Sequence, residues 1–133
     1  MTDATMTPFL MFQHGKASEA IDFYLGTFPD ARLETMVRFA AGEPGIEHTV
    51  KRACLIIGGQ KLRVFDSPMP HAFGFTPAIS FYIDLTSEEE LRRLAGTLAE
   101  GGTALMPLNN YGFSRLFAWV NDRFGVSWQL NLA

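Results

Sequence analysis

The two halves of this chain follow one plan, and that duplication constrains the fold more than any other feature of the sequence. Each half offers a short apolar strand, then an amphipathic helix, then three more strands. Phe9 precedes Ile21 by 12 residues and Ile79 precedes Leu91 by the same 12, so the halves repeat at an offset of 70 residues. One helix on a small sheet cannot close its own hydrophobic face, so a repeat of this kind predicts two curved half-sheets packed around a shared cleft. The expected fold class is α+β, with two strand-helix-three-strand (βαβββ) repeats over about residues 7–66 and 77–132 of a single domain spanning 1–133.

Local signals place the elements. Thr7 to Gln13 is apolar and starts at Pro8, which suits a first strand. Ser18 to Phe28 reads as helix, because Ile21, Tyr24, Leu25 and Phe28 fall at i, i+3, i+4 and i+7 and Pro29 stops the run. Leu33–Phe39, Val50–Ile57 and Lys61–Phe65 follow as strands, the last two joined by Gly58-Gly59-Gln60, whose glycines supply the positive φ of a primed hairpin turn. In the second half, Pro77–Asp84 opens as strand. Thr86 is placed to cap the next helix with Glu89 three residues on, and Leu91, Leu94, Ala95 and Leu98 form its stripe. Gly101-Gly102 ends that helix, and strands are expected over Ala104–Leu108, Arg115–Asn121 and Val126–Leu132.

Composition narrows the function classes. At 133 residues and 47% hydrophobic content the chain can bury a core of its own, and a net charge of −3 without basic runs argues against nucleic acid as a partner. No apolar stretch approaches the ~20 residues needed to span a bilayer, and Met1-Thr2-Asp3-Ala4 lacks a basic, apolar leader, so a cytoplasmic protein off the membrane is expected. Cys54, the single cysteine, lies in an apolar run and reads as a small buried hydrophobe.

Three segments carry a family resemblance: Pro8 to Gln13 with Ala20-Ile21-Asp22-Phe23-Tyr24, the run Gly102 to Pro107, and Asp122-Arg123-Phe124-Gly125-Val126-Ser127-Trp128-Gln129-Leu130. They resemble the vicinal-oxygen-chelate superfamily of glyoxalase I, bleomycin-resistance proteins and extradiol dioxygenases. Within it they look like the PhnB-like branch, catalogued as a 3-demethylubiquinone-9 3-methyltransferase domain. The resemblance implies a glyoxalase-like fold and a homodimer. It also implies, for members that are enzymes, a divalent metal held by His or Glu from four strands. By spacing, those positions fall at Phe9, Ala78 and Gln129 and in Leu62-Arg63-Val64-Phe65. Phenyl and methyl groups cannot ligate a cation, Gln129 brings no charge, and Arg63 would oppose one. No metal and no cofactor is expected, and no Gly-rich strand-to-helix turn is present to hold a nucleotide-like methyl donor.

The candidate ligand contacts are Asp66 and His71 from the segment joining the halves, Tyr111 from the polar loop Asn109-Asn110-Tyr111-Gly112, and Trp119 and Gln129 from the closing strands. His71 near a carboxylate has the chemistry of an acid or base near neutral pH, whereas His14 and His48 read as turn and surface residues. Alternation places Phe117 and Trp119 on one strand face, and Trp128 opposite Gln129. Aromatic walls with a few polar groups suit a planar or apolar small molecule. The favoured reading is therefore a small-molecule-binding protein lacking the usual metal ligands. An enzyme of the same superfamily with a divergent site (a lyase, a dioxygenase or a methyltransferase-like activity) and a subunit-interaction module stand as alternatives.

Overall fold

A computed structural model describes residues 3–133; Met1 and Thr2, the start of the segment read above for a leader, lie outside the described residues. The chain divides into two compact units, one up to Ala72 and one from Phe73 onward.

The first unit runs β1 (Phe9–Phe12), α1 (Ala17–Thr27), β2 (Arg32–Arg38), β3 (Val50–Ile57) and β4 (Gln60–Asp66). Its sheet has the order β1-β4-β3-β2, with β1 parallel to β4 and the other pairs antiparallel. The β3–β4 hairpin closes on Gly58 and Gly59 at φ 58° and 79°, values that a side chain would oppose. The helix α1 packs on β3 and β4 and buries Ala17, Ala20, Ile21 and Tyr24 against the sheet residues Leu55, Leu62 and Val64. Each large apolar side chain so buried contributes about 1.5–3 kcal/mol, which is what holds a helix of 11 residues that is too short to persist alone.

The second unit repeats this with β5 (Phe81–Leu85), α2 (Glu88–Ala99), β6 (Thr103–Asn109), β7 (Leu116–Asn121) and β8 (Ser127–Leu132), in the order β5-β8-β7-β6. The two four-stranded mixed sheets, each with its helix, give the α+β, glyoxalase-like fold that the repeat predicts. Two local expectations are corrected. The strand expected over Pro77–Asp84 begins only at Phe81, because Ala78 N and Ile79 N turn back to donate to Thr76 Oγ1 and Thr76 O. The cap of α2 is Ser87, not Thr86: Ser87 Oγ accepts from Glu90 N at 3.2 Å. The run Thr86-Ser87-Glu88-Glu89-Glu90 offers two capping registers, and burial of Leu91, Leu94, Ala95 and Leu98 selects the second. Among the described residues no helix is long and apolar enough to cross a membrane.

Candidate functional site

Strand alternation gives each sheet one face under its helix and one open face. In the second unit the helix-side face is Phe81, Ile83, Leu85, Leu116, Ala118, Val120, Trp128, Leu130 and Leu132, matched in register across β5, β8 and β7. The open face carries Tyr82, Phe117, Trp119, Gln129 and Asn131, since Tyr82 and Trp119 both pair with Gln129 and Phe117 pairs with Asn131.

Trp119 and Gln129 are both half-buried there. Trp119 Nε1 donates to Ser127 Oγ at 2.8 Å, and Gln129 Nε2 donates to Ser80 Oγ at 2.8 Å. Tyr111 sits at the margin, its hydroxyl bonded to Pro107 O and its ring stacked with Phe113 at 6.2 Å; both rings meet Phe117 edge-on. The Oδ1 atoms of Asn121 and Asn131, on the same face, are buried and accept no hydrogen bond among the described residues. Two of the five expected contacts, Trp119 and Gln129, thus lie on one face of one sheet, with a third, Tyr111, in the loop at its margin. Ser80, Tyr82, Phe113 and Asn131 were missed. The alternation Phe81, Ile83, Leu85 beneath Tyr82 and Asp84 was the signal that could have found Ser80 and Tyr82.

Asp66 and His71 lie in the first unit; Asp66, but not His71, lines a pocket of about 260 Å³ with His14, Ile46, Thr49, Ser67 and Met69 among others. Asp66 is 2% exposed, and both its oxygens are engaged: Oδ1 accepts from Ala17 N at 2.9 Å and Oδ2 from Val50 N at 2.8 Å. Ala17 opens α1, whose N-cap Lys16 supplies no side-chain bond, so Asp66 caps the helix from 49 residues away. His71 Nε2 lies 3.0 Å from Ser67 Oγ, and His71 N donates to Gln13 Oε1 at 2.6 Å.

The loop residue Asp122, which opens the segment that carried the resemblance, works similarly in the second unit. Its Oδ1 accepts from Phe124 N and Val126 N, and its Oδ2 from Trp128 Nε1 at 2.9 Å, while Gly125 turns the chain at φ 90°. That motif holds a turn and a buried indole in place.

The profile of the family described as 3-demethylubiquinone-9 3-methyltransferase matches residues 4–131. The chain belongs to that family. The PhnB protein from Bacillus cereus is 44% identical over 98% of this chain and 100% of its own, with a TM-score of 0.93. Protein PA1353 from Pseudomonas aeruginosa is 30% identical over 98% of each chain, with a TM-score of 0.82. A mutant of the fosfomycin resistance protein FosX from Listeria monocytogenes, complexed with Mn(II) and 1S,2S-dihydroxypropylphosphonic acid, shares the fold at 13% identity, a TM-score of 0.69, and coverage of 100% of this chain and 94% of its own. No curated protein matches.

Register corrects where this family member carries the positions that metal-binding members of the superfamily use. In the first unit Leu10 pairs with Val64, so Phe9 and Phe65 flank that pair on the open face. In the second unit Phe81 pairs with Trp128, so Ser80 and Gln129 flank it in the same way. By this register the second-half position falls at Ser80 rather than Ala78, because β5 starts four residues later than expected, and within Leu62-Arg63-Val64-Phe65 the β4 position falls at Phe65. Phe9 and Phe65 stack at 4.8 Å, 14° from parallel, where the second unit has its Gln129–Ser80 hydrogen bond. Rings and one neutral amide-hydroxyl pair do not fit a divalent cation, and among the described residues no group of three or more His, Cys, Asp and Glu converges.

Proposed function

We propose that the protein binds a planar, largely apolar small molecule without a metal ion, and that the open face of the β5-β8-β7-β6 sheet supplies the contacts. The observation that carries this is the join of a ring cluster, Tyr82, Tyr111, Phe113 and Phe117, to the amides of Gln129 and Asn131 on that one face. Tyr82 is 53% and Phe113 60% exposed, an apolar exposure that a bound ring would cover. The one carboxylate on this face, Asp84, accepts from Asn131 Nδ2 at 3.0 Å, and the other polar groups there are neutral amides and hydroxyls, so a catalytic role has less support than binding.

The test is a compound screen by thermal shift. A ligand at 100 times its dissociation constant adds about 2.7 kcal/mol of stability. Tyr111→Ala and Gln129→Ala should weaken a hit at least tenfold while leaving the free protein near its original stability. Hits unaffected by both variants would place binding elsewhere.

Homodimer formation belongs to the same proposal. The edge strand β2 is exposed along nearly its whole length, with Leu33 and Val37 among its exposed residues, and edges of this kind are stable when a second chain covers them.

A further inference from the structure

The open face of the first unit's sheet has a chemistry of its own. Arg63 projects from β4, a central strand, with Phe9 directly across on β1, Cys54 directly across on β3, and Phe65 two residues along. A cation in the middle of a sheet face usually meets a carboxylate. Here the same-face neighbours on β1, β3 and β4 are Phe9, Met11, Phe65, Cys54, Arg52, Ile56 and Lys61, none of them acidic, and the carboxylate that reaches them from β2 is Glu34. Lys61 is already paired with Glu34 at 3.2 Å, whereas the Arg63 guanidinium has no hydrogen-bond or ion-pair partner among the described residues. Beside it, Phe9 is 62% exposed, one ring face stacked on Phe65 and the rest of the ring uncovered.

We propose that this face binds a planar aromatic carboxylate, with Phe9 stacking on the ring system and the Arg63 guanidinium pairing with the carboxylate. Charge complementarity chooses the occupant: the guanidinium fork matches two carboxylate oxygens, and the phenyl pair offers a flat apolar platform within reach of it. The site goes beyond the reading of the second unit's sheet, which involves none of these residues.

The probes are 2-naphthoate and its neutral analogue 2-naphthamide, titrated calorimetrically into the full chain and its Arg63→Gln and Phe9→Ala variants. Arg63→Gln should weaken naphthoate at least tenfold and leave naphthamide within twofold; Phe9→Ala should weaken both. Both residues are exposed, so the variants should keep the unfolding midpoint of the parent. Cys54, the only cysteine, is half-buried on this open face rather than buried in the core as its apolar run suggested, and it gives a local readout: bound naphthoate should slow its alkylation by iodoacetamide. Absence of naphthoate binding, equal loss of both probes in Arg63→Gln, or unchanged alkylation of Cys54 would each overturn the proposal. Alkylation that slows with protein concentration alone would also overturn it, by showing a second copy of the chain on this face.

Discussion

Replacing Asp66 should cost stability on a scale set by the two backbone groups it holds. Ala17 is fully buried, Val50 likewise, and their N–H groups donate to the two oxygens of one carboxylate that is itself 2% exposed. Asp66→Ala leaves both donors buried and unpaired, at about 1–3 kcal/mol each, and removes an anion from the start of α1. The expected loss is about 2–6 kcal/mol, out of the roughly 5–15 kcal/mol typical of a folded domain. Asp66→Asn keeps one acceptor and turns an amide N–H₂ toward the other donor, so it should cost about half as much. Urea unfolding followed by circular dichroism measures both, and hydrogen exchange at Ala17 and Val50 reports the two bonds separately. Loss of less than about 1 kcal/mol in Asp66→Ala, with exchange at both amides unchanged, would refute the reasoning.

Gly102→Ala should destabilise by about 1–3 kcal/mol in the same assay, because an added Cβ would lie 2.1 Å from Asn121 O, which is fixed backbone. Glu43, bonded to the Lys51 ammonium and to Ala40 N, has its carboxyl held below the ordinary range, by the Lys51 bond first. A lowered folded value means that its contribution is present at neutral pH and is lost as pH falls through that value; Lys51→Met should return the Glu43 titration, followed by NMR, toward the usual carboxylate range. Light scattering should return a mass near twice 14.8 kDa at micromolar concentration, and the monomer mass throughout would remove the dimer.

The sequence made some of this legible and not the rest, for physical reasons. Val50–Ile57 was read with its observed limits, because the apolar run Ala53–Ile57 ends at paired glycines whose positive φ nothing else serves as well. Phe117 and Trp119 were placed on a common face by period-two alternation alone, and the register of β7 with β8 agrees. Pro77–Ser80 looked like strand because it is mostly apolar; hydrogen bonds to Thr76 turn it instead, and starting the strand four residues early put the second-half position at Ala78 rather than Ser80. The partners of Asp66 lie 49 and 16 residues away, so its role as a helix cap depends on tertiary contact that no local pattern encodes. Ser87 displaced Thr86 for a subtler reason: both offer a hydroxyl three residues before a glutamate, and only packing of the α2 stripe distinguishes them.

Native mass spectrometry of protein purified without a polyhistidine tag tests metal-independent binding most directly. The account predicts that incubation with nickel, zinc or manganese adds no stoichiometric ion, while a hit from the thermal-shift screen adds its own mass and loses it in Tyr111→Ala. One metal ion retained per chain and released by Gln129→Ala would contradict the account.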